Sequence, residues 1–267
     1  MTETHRMTIT EAVDSLLEVP GGSIFVRSWA VRRGDRVPII LLHDSLGSVD
    51  QWRDFPAALA AATERSVIAY DRLGFGRSSQ RLEPASDGFI CEEAGTLFPA
   101  MLRALGISRF VLFGHSVGGV MALTIAASPG MRCEAVITEA AQSFVEPRTL
   151  SGIRAARDRS DDPAQFEKIA RWHGEKARWV LDAWTQVWLS PGFSSWSLDQ
   201  DLGQVTCPVL AIHGDLDEYG SLAFPRRIVR MVGGPSELAV LDNCGHVPHR
   251  ERTAEVLRLT ASFLKSL

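Results

Sequence analysis

The chain has 267 residues, of which 45% are hydrophobic and 22% charged, and its formal net charge at pH 7 is -4. This length and balance are typical of one globular domain with room for an insertion, and they argue against long disordered segments. An acidic chain offers no basic field to nucleic acid or anionic lipid, so we expect neither as a partner.

The N-terminal stretch, residues 1–22, mixes acidic and polar side chains and lacks the continuous apolar segment of a secretory signal. Elsewhere no run approaches the roughly 20 apolar residues that a membrane-spanning helix requires. The cysteines show neither the paired spacing of a zinc site nor the density of a disulfide-rich domain. They are Cys91, Cys133, Cys207 and Cys244. We therefore expect reduced thiols, a cytoplasmic location and no membrane partner, and the pattern leaves the oligomeric state open.

Seven short apolar runs predict β-strands, and the continuous aliphatic ones are typical of strands buried on both faces of a sheet. The predicted strands are residues 24–31, 37–43, 66–70, 110–113, 135–138, 208–212 and 238–241. Helical spacing lies between them, in residues 52–62, 92–105, 117–127, 222–232 and 251–267. This alternation predicts an α/β fold with a mostly parallel central sheet flanked by helices, whose ligand sites lie beyond the carboxyl ends of the strands.

One segment, residues 140–205, contains no strand candidate and has a helical pattern with irregular joins. Within it, Asp162 before Pro163 predicts a helix start, because aspartate caps a helix and proline presets its first position. We therefore predict a core domain formed by residues 1–139 and 206–267, and a helical cap inserted as residues 140–205.

The strongest local signal is Gly114-His115-Ser116-Val117-Gly118, a G-x-S-x-G motif that follows a predicted strand and opens a predicted helix. A serine on such a sharp turn has its hydroxyl exposed, and the flanking glycines let the backbone pass closely. The first N–H groups of the helix also point to where an oxyanion would form. We interpret Ser116 as a nucleophile; the alternative is an ordinary glycine-bounded turn.

A serine hydroxyl is a weak nucleophile and needs a base that a third group orients. Two later strand-exit loops supply candidates, Asp217 as the orienting acid and His246 as the base. The alternatives are that the acidic loop merely caps a helix, which fits Asp215 or Glu218 equally well, and that His249 takes the place of His246. The chain order serine, aspartate, histidine favours Ser116, Asp217 and His246.

These motifs together resemble those of the α/β-hydrolase superfamily, in its serine-nucleophile, esterase-like branch, and the resemblance covers nearly the whole chain. The matching segments are residues 43–47 (HDSLG), 71–78 (DRLGFGRS), the G-x-S-x-G turn, residues 214–217 (GDLD) and Gly245-His246. The resemblance implies an oxyanion hole formed by the backbone N–H groups of Ser45 and Val117. To residues 71–78 we assign no chemistry, since their glycines most simply serve a tight loop.

The chain departs from the family at Asp44, where glycine is usual. An acid next to the oxyanion hole could repel the developing negative charge, or it could point away and brace the loop. Both possibilities stay open at the level of sequence.

The expected reaction is cleavage of an ester-like bond through an acyl-enzyme intermediate, with neither an organic cofactor nor a metal. His246 and His249 lack the accompanying ligands of a metal site. Ser116 argues against the related epoxide hydrolases and haloalkane dehalogenases, which use aspartate at this position. The same triad also serves thioesterases and hydrolases of carbon-carbon bonds in ring-cleavage products. An alternative of another class is a ligand receptor with a vestigial triad.

Five of the seven tryptophans lie in the predicted cap, which favours a small hydrophobic or aromatic substrate. Trp184 and Trp188 stand one helical turn apart and share a face, which either packs in the core or lines a pocket over the nucleophile. Leu46 and His115 are the other expected substrate contacts. His173, at a join between cap helices, is interpreted as a loop cap.

Overall fold

The computed structural model describes residues 11–31 and 36–267 and contains an eight-stranded sheet. Its strands are β1 (Val13–Val19), β2 (Gly22–Trp29), β3 (Ile39–Leu42), β4 (Val67–Tyr70), β5 (Phe110–His115), β6 (Cys133–Glu139), β7 (Val209–Gly214) and β8 (Ser236–Leu241). Their spatial order is β1-β2-β4-β3-β5-β6-β7-β8, with β3 to β8 paired in parallel and β1 and β2 antiparallel. The predicted α/β fold is confirmed. Our interpretation of the N-terminal stretch rests partly on residues 1–10, which lie outside the described residues.

Helices cover both faces of this sheet. They are α1 (Phe55–Thr63), α2 (Phe89–Glu92), α3 (Phe98–Leu105), α4 (Val117–Ala127), α5 (Pro147–Arg159), α6 (Pro163–His173), α7 (Ala177–Trp188), α8 (Asp199–Leu202), α9 (Ala223–Met231), α10 (Pro248–Glu251) and α11 (Thr253–Lys265). The helix predicted over residues 92–105 begins earlier, at Phe89, and a π-helical segment, Glu93–Leu97, joins α2 to α3. None of the helices in residues 11–31 and 36–267 has the length and apolar character needed to cross a membrane.

The sequence analysis missed strand β1. This strand pairs antiparallel with β2, with Leu17 opposite Ile24, and it forms one edge of the sheet. Because an edge strand has a single neighbour, most of its side chains stay exposed and its sequence mixes acids with apolar residues. Such a strand lacks the continuous apolar run by which the others were found.

Side chains of the central strands alternate between two apolar cores. In β3, Ile40 and Leu42 join the core that includes α3 and α4, whereas Ile39 and Leu41 join the core that includes α1 and α11. Because β3 to β8 are parallel, their carboxyl ends and the loops that follow them lie at one edge of the sheet.

The prediction that the continuous aliphatic strands are buried on both faces is wrong for β8. Leu238 and Val240 are 39% and 38% exposed, whereas Ala239 and Leu241 pack against the α1 and α11 core. Strand β8 is the last strand of the sheet and has β7 as its one neighbouring strand.

The segment between β6 and β7 is helical, as predicted, apart from an isolated bridge between Phe144 and Ser197. Asp162 caps α6, its side chain accepting the N–H of Ala164, and Pro163 occupies the first turn. Apolar side chains of this segment, Trp188 among them, join the same core as α3 and α4. These side chains therefore pack into the core of the sheet domain and do not form a separate apolar core.

All four cysteines are free thiols, as the sequence analysis predicted. Cys244 is buried within the loop after β8, and Cys91 is exposed on α2. The fold therefore gains its stability from apolar packing rather than from cross-links.

Candidate active site

Ser116 lies at the junction between β5 and α4 in a strained backbone conformation. Its φ is 54° and its ψ is -124°, a backbone region that residues other than glycine rarely adopt. Its N–H donates to the carbonyl of Glu139 at 2.8 Å, which ties the turn to β6. The turn presents the serine hydroxyl at the carboxyl edge of the sheet.

The turn requires glycine at two positions. A Cβ atom on Gly114 would lie 2.2 Å from the carbonyl oxygen of Gly118, and one on Gly118 would lie 2.1 Å from the carbonyl oxygen of Leu42. These neighbours are backbone atoms of a packed sheet and helix, so they cannot move aside easily. The close approach of β3, β5 and α4 therefore depends on the missing side chains.

We expect Gly118→Ala to lower the free energy of unfolding by about 1–3 kcal/mol, since the added methyl group overpacks a rigid contact. The matched control is Gly95→Ala, where nothing lies within 4 Å of the added Cβ atom. Thermal unfolding of both variants measures the difference. Equal midpoints would contradict the packing argument.

His246 and Asp217 form a hydrogen-bonded pair across the loops after β8 and β7. Nδ1 of His246 lies 2.9 Å from both carboxylate oxygens of Asp217. The Asp217 carboxylate also accepts the N–H groups of Tyr219 at 2.7 Å and Gly220 at 3.1 Å. Burial alone would raise the pKa of Asp217, but the hydrogen bond and charge of His246 outweigh it and lower that pKa. The acid is therefore held ionised where it orients the imidazole ring.

The competing residues lie elsewhere. Asp215 and Glu218 are exposed. His249 is buried, with Nδ1 2.8 Å from Oε2 of Glu139 and its ring 4.6 Å from that of Trp52. His249 does not line the cavity that contains Ser116 and His246.

The hydroxyl of Ser116 has a partner that the sequence analysis missed. Nε2 of Gln142 donates to Ser116 Oγ at 3.1 Å, and Ser116 and His246 face the same cavity without a direct hydrogen bond between them. Catalytic hydrogen bonds in ligand-free sites are often long and tighten when substrate binds. Gln142 follows β6, so the rule that functional residues occupy strand-exit loops would have found it.

Two backbone N–H groups near Ser116 are available to an oxyanion. Within residues 11–31 and 36–267, the N–H groups of Ser45 and Val117 have no hydrogen-bond acceptor. Ser45 lines the cavity in the loop after β3, and Val117 opens α4 directly after Ser116. Both positions suit the predicted oxyanion hole.

Asp44 braces the loop after β3 and also lies beside a partner of opposite charge. One carboxylate oxygen accepts the N–H of Leu46 at 2.8 Å, and the other lies 3.2 Å from Nδ1 of His115. Nε2 of His115 lies 2.7 Å from the carbonyl oxygen of His246. With oxygen acceptors at both ring nitrogens, His115 is suited to the protonated form. The negative charge of Asp44 is thus balanced by His115.

The pKa values of both groups follow from this contact. Burial would lower the pKa of His115, but the hydrogen bond and charge of Asp44 outweigh it, so the pKa is raised. Burial would raise the pKa of Asp44, but His115 outweighs it, so the pKa is lowered. A raised histidine pKa stabilises the fold below the unfolded value of about 6.5 and loses that effect as pH rises through the folded pKa. A lowered aspartate pKa stabilises above about 3.9 and loses its effect as pH falls through the folded pKa.

We therefore expect Asp44→Asn to destabilise the protein most between about pH 4 and pH 6.5 and progressively less at alkaline pH. Asparagine retains an acceptor for Leu46, so the change isolates the charge. Melting temperatures from pH 5 to pH 9 measure the effect, with the exposed Asp54→Asn as control. A difference from wild type that does not vary with pH would contradict the ion pair.

The cavity over Ser116 has a volume of about 160 Å³ and is mostly apolar. Leu46, Trp184 and Trp188 line it, and so does Tyr219, which the sequence analysis did not name. His115 does not line it: the side chain lies beneath the cavity, because Asp44 and the His246 carbonyl hold both ring nitrogens. The expected contact of His115 with substrate is therefore corrected to a contact between loops.

His173 also has a larger role than a loop cap. Its Nδ1 accepts the N–H of Gly76 at 3.0 Å, and its Nε2 donates to the carbonyl of Leu46 at 2.9 Å. The side chain is buried at the end of α6 and connects the helical segment to the loops after β3 and β4. The second of these loops is tight, as predicted, with Gly74 and Gly76 at positive φ.

The fold agrees with what the chain is similar to. Residues 39–259 match the model of the alpha/beta hydrolase family. The chain belongs to this family. It thereby belongs to a superfamily of hydrolases that share this fold.

Individual relatives in the alpha/beta hydrolase family have varied names. The chain is 24% identical over 251 residues to a 2-hydroxy-6-oxo-2,4-heptadienoate hydrolase of Pseudomonas putida, covering 85% of this chain and 88% of the relative. It is 27% identical over 230 residues to a non-heme chloroperoxidase of Streptomyces lividans, covering 74% and 80%. A carboxylesterase structure from Bacillus subtilis superposes with a TM-score of 0.71 at 20% identity, covering 96% of this chain and 92% of that one. The family model establishes the family, the solved structure shows the same fold, and the names of the relatives differ in the reaction.

Proposed function

We propose that the chain is a serine hydrolase that cleaves an ester-like bond of a small hydrophobic or aromatic substrate through an acyl-enzyme. The observation that carries this proposal is the placement of strained Ser116 and the His246–Asp217 pair on one small apolar cavity. Segment 140–205 supplies Trp184 and Trp188 to that cavity, so we propose that it acts as a cap over the site.

The proposed mechanism uses this chain's own groups. His246 Nε2 removes the Ser116 proton as Oγ attacks the substrate carbonyl, and the resulting oxyanion accepts the N–H groups of Ser45 and Val117. The imidazolium, stabilised by Asp217, then gives its proton to the departing alcohol. Water attacks the acyl-enzyme with His246 again as base, and the acid is released with Ser116 reprotonated.

A second reaction on the same triad is hydrolysis of a carbon-carbon bond. The relative named 2-hydroxy-6-oxo-2,4-heptadienoate hydrolase favours this candidate, since it aligns over most of both chains. A thioester is a third acyl donor that the same groups would accept. A ligand receptor with a vestigial triad would use the cavity for binding without turnover.

Steady-state assays of the purified protein on one panel separate these functions. The panel contains short and medium-chain p-nitrophenyl esters, an aryl thioester and a ring-cleavage dienoate, all at neutral pH. We expect sustained ester turnover with a preference for small apolar acyl groups, since the cavity is small and mostly apolar. Turnover of the dienoate alone would move the protein to carbon-carbon hydrolysis, and labelling of Ser116 without product release would favour the receptor.

A further inference from the structure

The loop that carries His246 is held by hydrogen bonds on two sides. The Glu251 carboxylate accepts the N–H of Gly245 at 2.7 Å and the N–H of Val247 at 3.0 Å, the residues that flank His246. The carbonyl oxygen of His246 itself lies 2.7 Å from Nε2 of His115. Because His115 ends β5, this second contact ties the loop of the proposed base to the central sheet.

The other ring nitrogen of His115 faces the loop after β3. Oδ2 of Asp44 lies 3.2 Å from Nδ1 of His115, and Oδ1 of the same carboxylate accepts the N–H of Leu46 at 2.8 Å. Between Asp44 and Leu46 lies Ser45, whose N–H belongs to the predicted oxyanion hole. The His115 ring therefore joins the loop of the oxyanion hole to the loop of the base.

Both contacts of His115 require the protonated ring. A carbonyl and a carboxylate can only accept, and only the imidazolium form of histidine donates from both nitrogens. When one proton leaves, the Asp44 carboxylate keeps the one on Nδ1, because a hydrogen bond to an ionised acceptor is the stronger of the two. Nε2 then directs a lone pair at the His246 carbonyl oxygen, and two lone pairs at 2.7 Å repel each other. The neutral ring therefore pushes the base loop away.

The surroundings place the charge on His115 rather than on the histidine beside it. The buried ring is surrounded by titratable groups from the loops after β3 and β8, from β6 and from α10, and a small cavity beside it has two more charged or titratable groups. They are Asp44, His246, Glu139, His249, His43 and Arg250. Burial would lower the pKa of His115, but Asp44 and, to a smaller extent, Glu139 outweigh it and raise that pKa. Burial lowers the pKa of His249. Of these two neighbouring rings, His115 keeps its proton to the higher pH.

We propose that His115 is a positioning residue for the reaction: its doubly donating ring holds the loop of His246 against the loop of the oxyanion hole, and activity is lost when the Nε2 proton leaves. His115 touches neither the substrate cavity nor the reacting atoms, so it acts through His246 and Ser45. This inference rests on the proposed ester hydrolase function.

The pH dependence of ester hydrolysis tests the role of His115. The triad alone needs an unprotonated His246, which predicts activity that rises with pH and then stays level. Loss of the His115 proton adds a fall on the alkaline side of about pH 6.5, the ordinary histidine value. We expect kcat/KM for p-nitrophenyl butyrate to fall by at least about tenfold, the size of one hydrogen bond of a charged group, and mainly through kcat. Profiles from pH 6 to pH 10, corrected for uncatalysed hydrolysis, measure it, and recovery on return to pH 7 excludes unfolding.

Asp44→Asn is expected to abolish this alkaline fall. The asparagine oxygen still accepts the N–H of Leu46, while its amide nitrogen donates to Nδ1 of a neutral His115. The proton of that neutral ring then lies on Nε2, where it donates to the His246 carbonyl, so both contacts persist without a charge. Asp54→Asn is the matched control, because Asp54 is exposed, and we expect it to keep the alkaline fall of the wild type.

NMR titration of the histidine rings follows the proton itself and does not need turnover. The Cε1–H resonance of His115, assigned by its absence from His115→Gln, should titrate with the same midpoint as the alkaline fall in activity. The resonance of His246 should shift at that pH as well, because its loop moves when the contact is lost.

The outcomes separate this inference from the proposed function. Ester turnover that stays level at alkaline pH, a fall that persists in Asp44→Asn, or a His115 midpoint that differs from the midpoint of the fall overturns the positioning role and leaves the esterase function standing. Failure to hydrolyse any ester overturns the proposed function. The NMR titration then still decides the link between the two loops, which is overturned if the His246 resonance does not respond to the titration of His115.

Discussion

Ser116→Ala is expected to lower kcat for ester hydrolysis by at least about 10⁴-fold, because the variant loses the atom that bonds to the acyl group. The oxyanion hole and the apolar cavity remain, so KM should change far less than kcat. Steady-state kinetics on a p-nitrophenyl ester measures both parameters. A fluorophosphonate probe, followed by mass spectrometry, should label the wild type at Ser116 and leave the variant unlabelled.

The control for this prediction is Ser128→Ala at the far end of α4. Its hydroxyl donates to the carbonyl of Thr124, one turn earlier in the helix, and lies outside the cavity lining. We expect wild-type kinetics there. Retention of full activity in Ser116→Ala, with the label found on another residue, would reject the nucleophile assignment.

Asp217→Asn is expected to lower kcat by about 10⁴-fold, the loss typical of replacing the acid of a triad by its amide. Asparagine can still accept the N–H groups of Tyr219 and Gly220, so the loop keeps its shape. Its amide group, however, donates to Nδ1 of His246 and favours the tautomer whose Nε2 already carries a proton. That tautomer cannot take the proton of Ser116.

Asp215→Asn and Glu218→Gln are the controls for the acid, since both carboxylates belong to the same loop and are exposed. We expect each to retain activity within a few fold in steady-state assays. A loss in either variant as large as that in Asp217→Asn would move the role of the acid to that residue. Circular dichroism of all three variants checks that the fold is unchanged.

The fold was predictable where burial imposes a simple pattern. Strands covered on both faces, such as β3 and β7, require near-continuous apolar runs, and these are visible in one dimension. The edge strand β1 was missed and the exposure of β8 was misjudged, because edge strands have one neighbour and their composition depends on what covers them.

For the candidate site too, local features were predictable from the sequence and contacts between distant residues were not. Ser116 was found because the motif requires glycines at fixed positions along the chain, which are local constraints. The sequence analysis already preferred His246 to His249, and the tertiary structure adds that His249 pairs with Glu139 in the interior, a contact between residues far apart in sequence. Gln142 and Tyr219 were not singled out, although Gln142 follows β6 and its strand-exit position was a usable signal; that both residues line the cavity is a result of the tertiary structure.

By itself, the sequence determined the α/β class, the helical segment 140–205 and the strand-exit loops, because these depend on periodicity and local turn geometry. Only the tertiary structure decided the roles of Asp44, His115 and His173. Each is defined by partners that the sheet brings together from separate loops: His115 lies between Asp44 and the His246 carbonyl, and His173 joins the loops after β3 and β4. Hydrogen bonds and ion pairs act over a few ångströms in space, so they cannot be read from the spacing of residues along the chain.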